Sequence, residues 1–538
     1  MKLALAVSES ENFRQELQYV KTLSSFTLKL TNQRGLYVMH TGKSYLESLN
    51  DGRVVYLNGE KIDNVVEHPA YENSAKSYSR LYDSLHDPEK QSILTGINEY
   101  GDRTHKFFIT PKNADDLLGA RDAIAEWSKL NFGFMGRTPD YKASFLGHLN
   151  AYSDYYVGFE ENAKAWYRKA SKELPFVNHT VINPQMDRSK SLHENKDVFV
   201  RVVKERDDGI IVKGAKMVGT SAALTHYNFV ANYGPKSLGD GDVSHALIFL
   251  VPMNAPGLKM ISRQSYEFSA KVNGSPFDYP LSSRFDENDA VIVLDNVFIP
   301  WEDVLAYKNV EVSNNFVPAT HFVNRFSFHG CTRLGVKLDF MLGLILKATE
   351  SSGTHQFRGV QANIGEIVAM RNMIWSLSTA MATNPDIGMS GIAVPNGEAA
   401  SAYRVLAPEV WVKVVHIFEQ VVAGGLIQLP SSAADFNNPE IRPYLDEYYR
   451  GTGVDAESRV KLLKMVWDAI GSEFGGRHEL YEVNYAGNHE NIRLEALYHG
   501  MATGNVDYFK SVVDSAMSDY DLNGWTNPVW KTKSNVTI

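Results

Sequence analysis

Val198-Phe199-Val200-Arg201-Val202-Val203 and Ile210-Ile211-Val212, with Asp208-Gly209 between them, mark where this 538-residue chain changes period. Apolar residues before them recur at helical intervals. Here they come as short β-branched runs, and Asp208-Gly209 predicts a tight hairpin turn. Further runs at Ala246 to Val251 and Val291 to Leu294, punctuated by Gly and Pro, extend the β region from about 195 to 305. It reads as a small barrel or sandwich.

Working outward, residues from about 70 to 175 follow a helical pattern. Asn113 caps a helix in which Leu117, Ala120, Ile124 and Trp127 share a face, with Asp115 and Asp116 in the first turn, where the helix dipole favours acids. Gly133 and Gly136 end it, and Pro139 forbids a simple continuation. Arg137 and Tyr141 lie four apart, so any helical turn there puts both on one face. Beyond 330 come four amphipathic stripes: Leu334, Leu338, Met341, Leu342 and Ile345; Val360, Ile364, Ile367 and Ile374; Val410 to Val422; and Val460, Leu463, Val466, Trp467 and Ile470. Four such segments in succession predict an antiparallel bundle. The fold class is α+β. We expect an extension at 1–40, a helical domain at 41–178, a β domain at 179–308 and a helical bundle domain at 309–538.

The 44% hydrophobic and 22% charged fractions are those of a globular protein. A net charge of -9 and a pI near 6.0 argue against a nucleic-acid partner. The opening run Met-Lys-Leu-Ala-Leu-Ala-Val is shorter than a signal-peptide core, and no later segment approaches a membrane span. Cys331 is the single cysteine. It reads as a buried small hydrophobe, points to a cytoplasmic home, and cannot build an iron–sulfur cluster or a multi-cysteine zinc site. No Gly-x-Gly-x-x-Gly opens a helix after a strand, and the acids of Gly239-Asp240-Gly241-Asp242 would repel a pyrophosphate. A nicotinamide dinucleotide therefore has no visible site.

Gly136-Arg137-Thr138-Pro139-Asp140-Tyr141 and, further on, Asn178-His179-Thr180-Val181-Ile182-Asn183-Pro184 hold the candidate chemistry. An arginine, a tyrosine and a histidine among Pro and Gly can converge on one polar group such as a phenol oxygen. Taken singly, Arg137 reads as an ion pair with Asp140, Tyr141 as a half-buried aromatic and His179 as a structural histidine. Gly475, in Gly471 to His478, reads from the residues alone as a left-handed helix C-cap.

Met135 to Lys142, Asn183 to Arg188, Pro280 to Asp289 and Asp468 to Tyr481 together resemble the large component of two-component flavin-dependent aromatic monooxygenases. The similarity runs from about Thr41 to the C-terminus. It implies an acyl-CoA dehydrogenase-like fold and ortho-hydroxylation of a para-substituted phenol by way of a flavin hydroperoxide. Reduced FAD and dioxygen would be co-substrates, with no metal. In this resemblance Arg137, Tyr141 and His179 are catalytic and bind the phenol. His179, Thr180, Val181, Gln185, Met186, Asp187, Arg188, Thr220, Phe474, Gly475, Gly476 and Arg477 contact the flavin. Gly234 and Pro235, in Tyr233-Gly234-Pro235, face the substrate's tail; this wording departs from the serine-containing form associated with 4-hydroxyphenylacetate, the first-choice substrate.

The implied partners are a separate NADH-dependent flavin reductase and further copies of the chain, as a dimer or tetramer. A phenol has a pKa near 10, and a histidine tuned near neutrality suits removal of its proton. The alternative is the same chemistry on another phenol, tyrosine-like, coumarate-like or a halophenol, and two further readings are weighed. A flavin dehydratase of the 4-hydroxybutyryl-CoA type needs a cluster that one cysteine cannot supply. A non-catalytic scaffold predicts decayed motifs, whereas Arg137, Tyr141 and His179 all stand.

Overall fold

The structure, a computed structural model, describes residues 39–531 except 188, 190–193, 233–237, 240 and 242. Almost all of the expected N-terminal extension lies outside the described residues, as do Arg188, Gly234, Pro235 and the two acids of the turn before Val243.

The strands ahead of residue 310 are β1 (Val55–Leu57), β2 (Glu60–Ile62), β3 (Thr95–Ile97), β4 (Arg103–His105), β5 (Val177–Thr180), β6 (Arg201–Arg206), β7 (Gly209–Thr220), β8 (Tyr227–Val230), β9 (Leu247–Pro252), β10 (Leu258–Ser262), β11 (Asp289–Pro300) and β12 (Val304–Tyr307). One sheet has the order β2-β1-β10-β11-β7-β6, a second the order β12-β9-β8-β5, and β3-β4 is a separate hairpin. The β layer thus recruits β1 and β2 from a region read as helical. Those strands are three residues each, too short to show a period. The hairpin between β6 and β7 forms one residue earlier than expected: Arg206 pairs with Gly209, so Asp207-Asp208 is the turn.

Two bulges shape the long β7–β11 pair. Between Leu294 and Val297, β11 advances three residues while β7 advances two. The extra residue resets the side-chain phase, so Ile292 and Leu294 before it and Val297 and Ile299 after it are all buried. Between Ala290 and Ile292 the extra residue is on β7, where Val218 takes φ 60°. A β-branched side chain rarely tolerates that conformation.

The longer helices are α1 (Glu72–Ser84), α2 (Ala114–Lys129), α3 (Glu160–Glu173), α4 (Phe322–Ser352), α5 (Arg358–Thr383), α6 (Gly397–Leu426), α7 (Ala456–Ile470), α8 (Glu473–Asn484), α9 (His489–Ala502) and α10 (Asn505–Met517). Asn113 caps α2 as expected, its side chain accepting from the Asp116 amide. Helices α4, α5 and α6 pack on one another, α7 packs on α4 and α6, and α2 lies against α4 and α5. Leu334, Leu338, Met341 and Ile345 are buried on the inner face of α4, with Ile367, Ile374, Val414, Phe418, Leu463 and Val466 from its neighbours. Cys331 is buried among them. Helices, β layer and helical bundle follow one another along the chain as the acyl-CoA dehydrogenase-like reading requires.

The segment read as a helix C-cap begins a helix instead. Ser472 is the N-cap of α8, its hydroxyl accepting from the Gly475 amide, and Gly475 and Gly476 lie in the first turns. The serine cap outweighs the glycine pair because it satisfies an amide that would otherwise have no acceptor.

Candidate active site

A cavity of about 640 Å³ lies between the β layer, α8 and the first turns of α4. That size suits a small-molecule site. Its lining includes Arg137, Tyr141, His179, Val181, Gln185, Thr220 and Arg477, so seven of the residues singled out in the sequence meet on one surface.

Arg137 arrives on the loop after α2, and Tyr141 sits in the short 3-10 turn Pro139–Lys142. Gly133 makes the loop possible with φ 73°. Gly136 is required for a different reason: a Cβ there would lie 2.1 Å from the Tyr481 hydroxyl. The Arg137 guanidinium carbon stands 4.3 Å from the Tyr141 ring centre, 4.8 Å from that of Tyr485 and 5.3 Å from that of Tyr481. Its Nη1 donates to Tyr481 Oη at 3.2 Å. Burial alone would lower its pKa, but the three tyrosine oxygens and Glu287 outweigh that and raise it. The guanidinium stays charged.

Asp140 is not the partner of Arg137. It is buried and lies 3.2 Å from His329 Nε2 on α4, a direction set by the tight turn at Pro139. Glu287 instead accepts from the Arg137 backbone amide at 2.6 Å, while its other oxygen meets Arg477 Nη1 at 3.3 Å.

His179 lies on β5, paired in parallel with β8 opposite Phe229. Its ring stands 5.5 Å from that of Tyr141, and its Nδ1 is 3.1 Å from Lys142 Nζ. Burial, then the charges of Lys142 and Arg137, push its pKa well below the usual value. The expectation of a base tuned near neutrality is therefore corrected. His179 is neutral, as a base must be, but more weakly basic than a free imidazole, because burial, and after it the neighbouring Lys142 and Arg137, disfavour its protonated form.

Thr220 ends β7 opposite Asp289, and its hydroxyl donates to that carboxylate at 2.7 Å. Arg477 meets Asp289 at 3.1 Å and Glu287 at 3.3 Å. Arg263 meets Asp289 at 3.0 Å and Asp286 at 2.7 Å. Burial would raise the pKa of Asp289, yet Arg477 and Arg263 hold it below the carboxylate range. Arg477 thus lines the cavity but is not a free cation awaiting a phosphate. Lys216 anchors a neighbouring wall: its Nζ donates to Asn183 Oδ1 at 2.9 Å, Ala231 O at 2.8 Å and Asn232 Oδ1 at 2.9 Å. Burial pulls its pKa down to about 7.

Other sequence candidates lie off the wall. Thr180 is buried in the sheet, its hydroxyl accepting from Asn228. Phe474 is buried against Phe134 and His478. Gly475 and Gly476 shape the start of α8, and Met186 and Asp187 are exposed. Residues the sequence reading passed over are Lys142, Glu287, Asp289, Tyr481 and Tyr485. A signal was present, since Arg477, Tyr481 and Tyr485 recur every four residues and so share a helix face.

Flavin fits the cavity on three grounds: its volume, its aromatic walls at Phe322, Phe326 and Tyr485, and Gln185 and Thr220 as polar groups along one side. Among the described residues no cluster of three or more His, Cys, Asp or Glu could hold a metal ion. No described helix is long and apolar enough to cross a membrane.

Family models described as 4-hydroxyphenylacetate 3-hydroxylase N terminal and C terminal match residues 41–306 and 313–514. The chain is similar to the 4-hydroxyphenylacetate 3-monooxygenase oxygenase component of Pseudomonas aeruginosa, at 50% identity over 501 residues, covering 93% of this chain and 96% of that one. It is similar to a 4-nitrophenol 2-monooxygenase, oxygenase component, of a Rhodococcus species, at 50% identity over 491 residues, covering 91% and 94%. Among solved structures it resembles the oxygenase component of 4-hydroxyphenylacetate 3-monooxygenase complexed with FAD and 4-hydroxyphenylacetate. That match has a TM-score of 0.82 and 30% identity, covering 89% of this chain and 100% of that one.

Proposed function

This chain belongs to the 4-hydroxyphenylacetate 3-hydroxylase family, and we propose that it is the oxygenase half of a two-component monooxygenase. It hydroxylates a para-substituted phenol beside its hydroxyl, consuming reduced FAD and dioxygen. The observation that carries this reading is the meeting of Arg137, Tyr141 and His179 on one cavity wall.

Reduced FAD, when bound, supplies the electrons and the oxygen chemistry. The chain supplies the rest. Val181, Gln185, Thr220 and Arg477 hold the flavin side of the cavity, and Thr180, Met186, Asp187, Phe474, Gly475 and Gly476 shape the segments around it. His179 takes the phenolic proton, which makes the ring more electron-rich. Arg137 and Tyr141 donate to the phenolate oxygen as its charge develops. Tyr481 and Tyr485 fix the guanidinium so that it need not reorganise. The β layer, α8 and α4 exclude water from the reacting groups.

The first-choice substrate is 4-hydroxyphenylacetate. The 4-nitrophenol relative at equal identity supports a second reading, in which the same site acts on another para-substituted phenol. A separate NADH-dependent reductase supplies the reduced flavin, and the chain works in the cytoplasm as a dimer or tetramer. The division at 178 and 308 into domains is supported by the second sheet, which begins at Val177 and ends at Tyr307. The test is to give the purified chain chemically reduced FAD, air and a panel of para-substituted phenols. Catechol formation that disappears in His179→Ala supports the reading. Peroxide alone with every phenol refutes it.

A further inference from the structure

Lys142 ends the turn that carries Tyr141, and it is fully buried. Its Nζ lies 3.1 Å from His179 Nδ1, and among the described residues it makes no other hydrogen bond and no ion pair. Two other buried lysines are fully partnered. Lys337 pairs with Glu482 at 2.9 Å, and Lys216 has three oxygen acceptors. A lysine kept for structure is expected to be satisfied in one of those ways, because a buried unpaired ammonium is costly. Lys142 instead points its amine at one imidazole nitrogen, in a site whose other wall receives the phenol. Burial and then Arg137 push its pKa well below the usual value. At rest His179 therefore stands beside the fixed Arg137 guanidinium, with the Lys142 amine 3.1 Å from its Nδ1 and pushed by burial towards its uncharged form.

We propose that Lys142 is the second member of a proton relay: as His179 takes the phenolic proton at Nε2, its Nδ1 proton passes to Lys142 Nζ. The phenolic O–H and the Nδ1–H break, Nε2–H and a third Nζ–H form, and no electrons are transferred. The products are phenolate, neutral His179 and an ammonium one residue deeper. This rests on the reading that a phenol oxygen faces His179.

The charged and titratable groups around the pair are consistent with that direction of transfer. Asp140, in the same turn and held by His329 of α4, and Glu287, before β11, favour a positive Lys142, whereas Arg137 opposes it. Tyr141 completes the surroundings, its ring centre 5.0 Å from Lys142 Nζ and 5.5 Å from the His179 ring. Lys142 does not line the cavity, so it is a positioning residue acting through His179.

The probe is 4-nitrophenol, whose ionised form absorbs visible light, bound to the full chain across a pH series. Wild type should bind it ionised at lower pH than the free phenol. In Lys142→Met the titration of bound ligand should move up by about one unit or more, a tenfold change, with affinity for the neutral phenol within about twofold of wild type. Lys142→Gln can donate to Nδ1 but cannot take a proton. It should behave like the Met variant, whereas a purely structural hydrogen bond would be restored by Gln. In a His179→Ala background, Lys142→Met should add nothing. A wild-type titration retained in Lys142→Met, rescue by Gln, or a shift persisting without His179 overturns the relay while leaving the phenol site standing. If wild type binds no phenol, the functional reading fails and takes the relay with it.

Discussion

Arg137 is pre-set by the three tyrosines around it, so its contribution depends on its shape as well as its charge. A charge-assisted hydrogen bond is worth about 1.5–3 kcal/mol. Arg137→Ala should therefore lower kcat/KM for the phenol by roughly ten- to a hundredfold, and Arg137→Lys should recover little, since an ammonium lacks the planar fork. Steady-state kinetics with saturating reduced FAD check both. Gly136→Ala is a subtler probe: the new Cβ collides with the Tyr481 hydroxyl, which must leave Arg137 or displace the loop. We expect a raised KM with a smaller effect on kcat, and unchanged KM contradicts the cage. At this scale much of the site was legible, because Arg137, Tyr141 and His179 sit in distinctive local words. Lys142 stood in the same word and was passed over, since a sequence does not say which lysine will be buried without a carboxylate. Glu287 and Asp289 were equally visible, but which arginine each would meet depends on how β11 and α8 come together.

Helices α4 and α8 are tied by Arg333, Lys337 and Glu482, all buried. Burial would raise the pKa of Glu482, but Arg333 and Lys337 hold it at about 2. Burial pulls Lys337 down to about 8 despite the same carboxylate, so Arg333 is the principal counterion. The folded pKa of Glu482 lies below its unfolded value near 4.3. Its stabilisation is thus complete above that value and is lost as pH falls towards 2. Glu482→Gln, which leaves two buried cations short of a partner, should cost about 3–5 kcal/mol at neutral pH. In thermal unfolding the gap between variant and wild type should narrow as pH drops below about 4.3. A gap independent of pH contradicts this. The amphipathic stripes of α4 to α7 were legible from period alone because each buries one face, although Trp467, read as part of the fourth, is exposed. The bulges on β7 and β11 were not. They come from strand pairing, and Val218 carries no local mark of the φ its pairing imposes. The start of α8 was misread because two glycines resemble a stop, whereas the preceding serine supplies a cap.

Over the whole molecule, the C-terminal helices leave many apolar side chains exposed. No residue of α10 is buried, yet Tyr508, Phe509, Val512, Val513 and Met517 lie on it, followed by exposed Leu522, Trp525, Val529 and Trp530. So much apolar surface on one extension fits a contact between copies. Light scattering at micromolar concentration should give a dimer or tetramer, and Phe509→Asp with Val513→Asp should dissociate it; a wild-type monomer refutes the assembly. The order of helices, β layer and bundle was legible at this scale. The recruitment of β1 and β2 into the central sheet was not, since strands so short gain stability only from the neighbour they join. The central claim is that this single cavity places a phenol and reduced FAD together so that one oxygen atom passes from dioxygen to the ring. Its most direct test gives the purified chain reduced FAD, isotopically labelled dioxygen and 4-hydroxyphenylacetate, and reads the product by mass spectrometry. The account predicts a catechol carrying one labelled oxygen, formed by wild type and lost in His179→Ala. A catechol whose new oxygen comes from water, or equal yield from the His179→Ala variant, would contradict it.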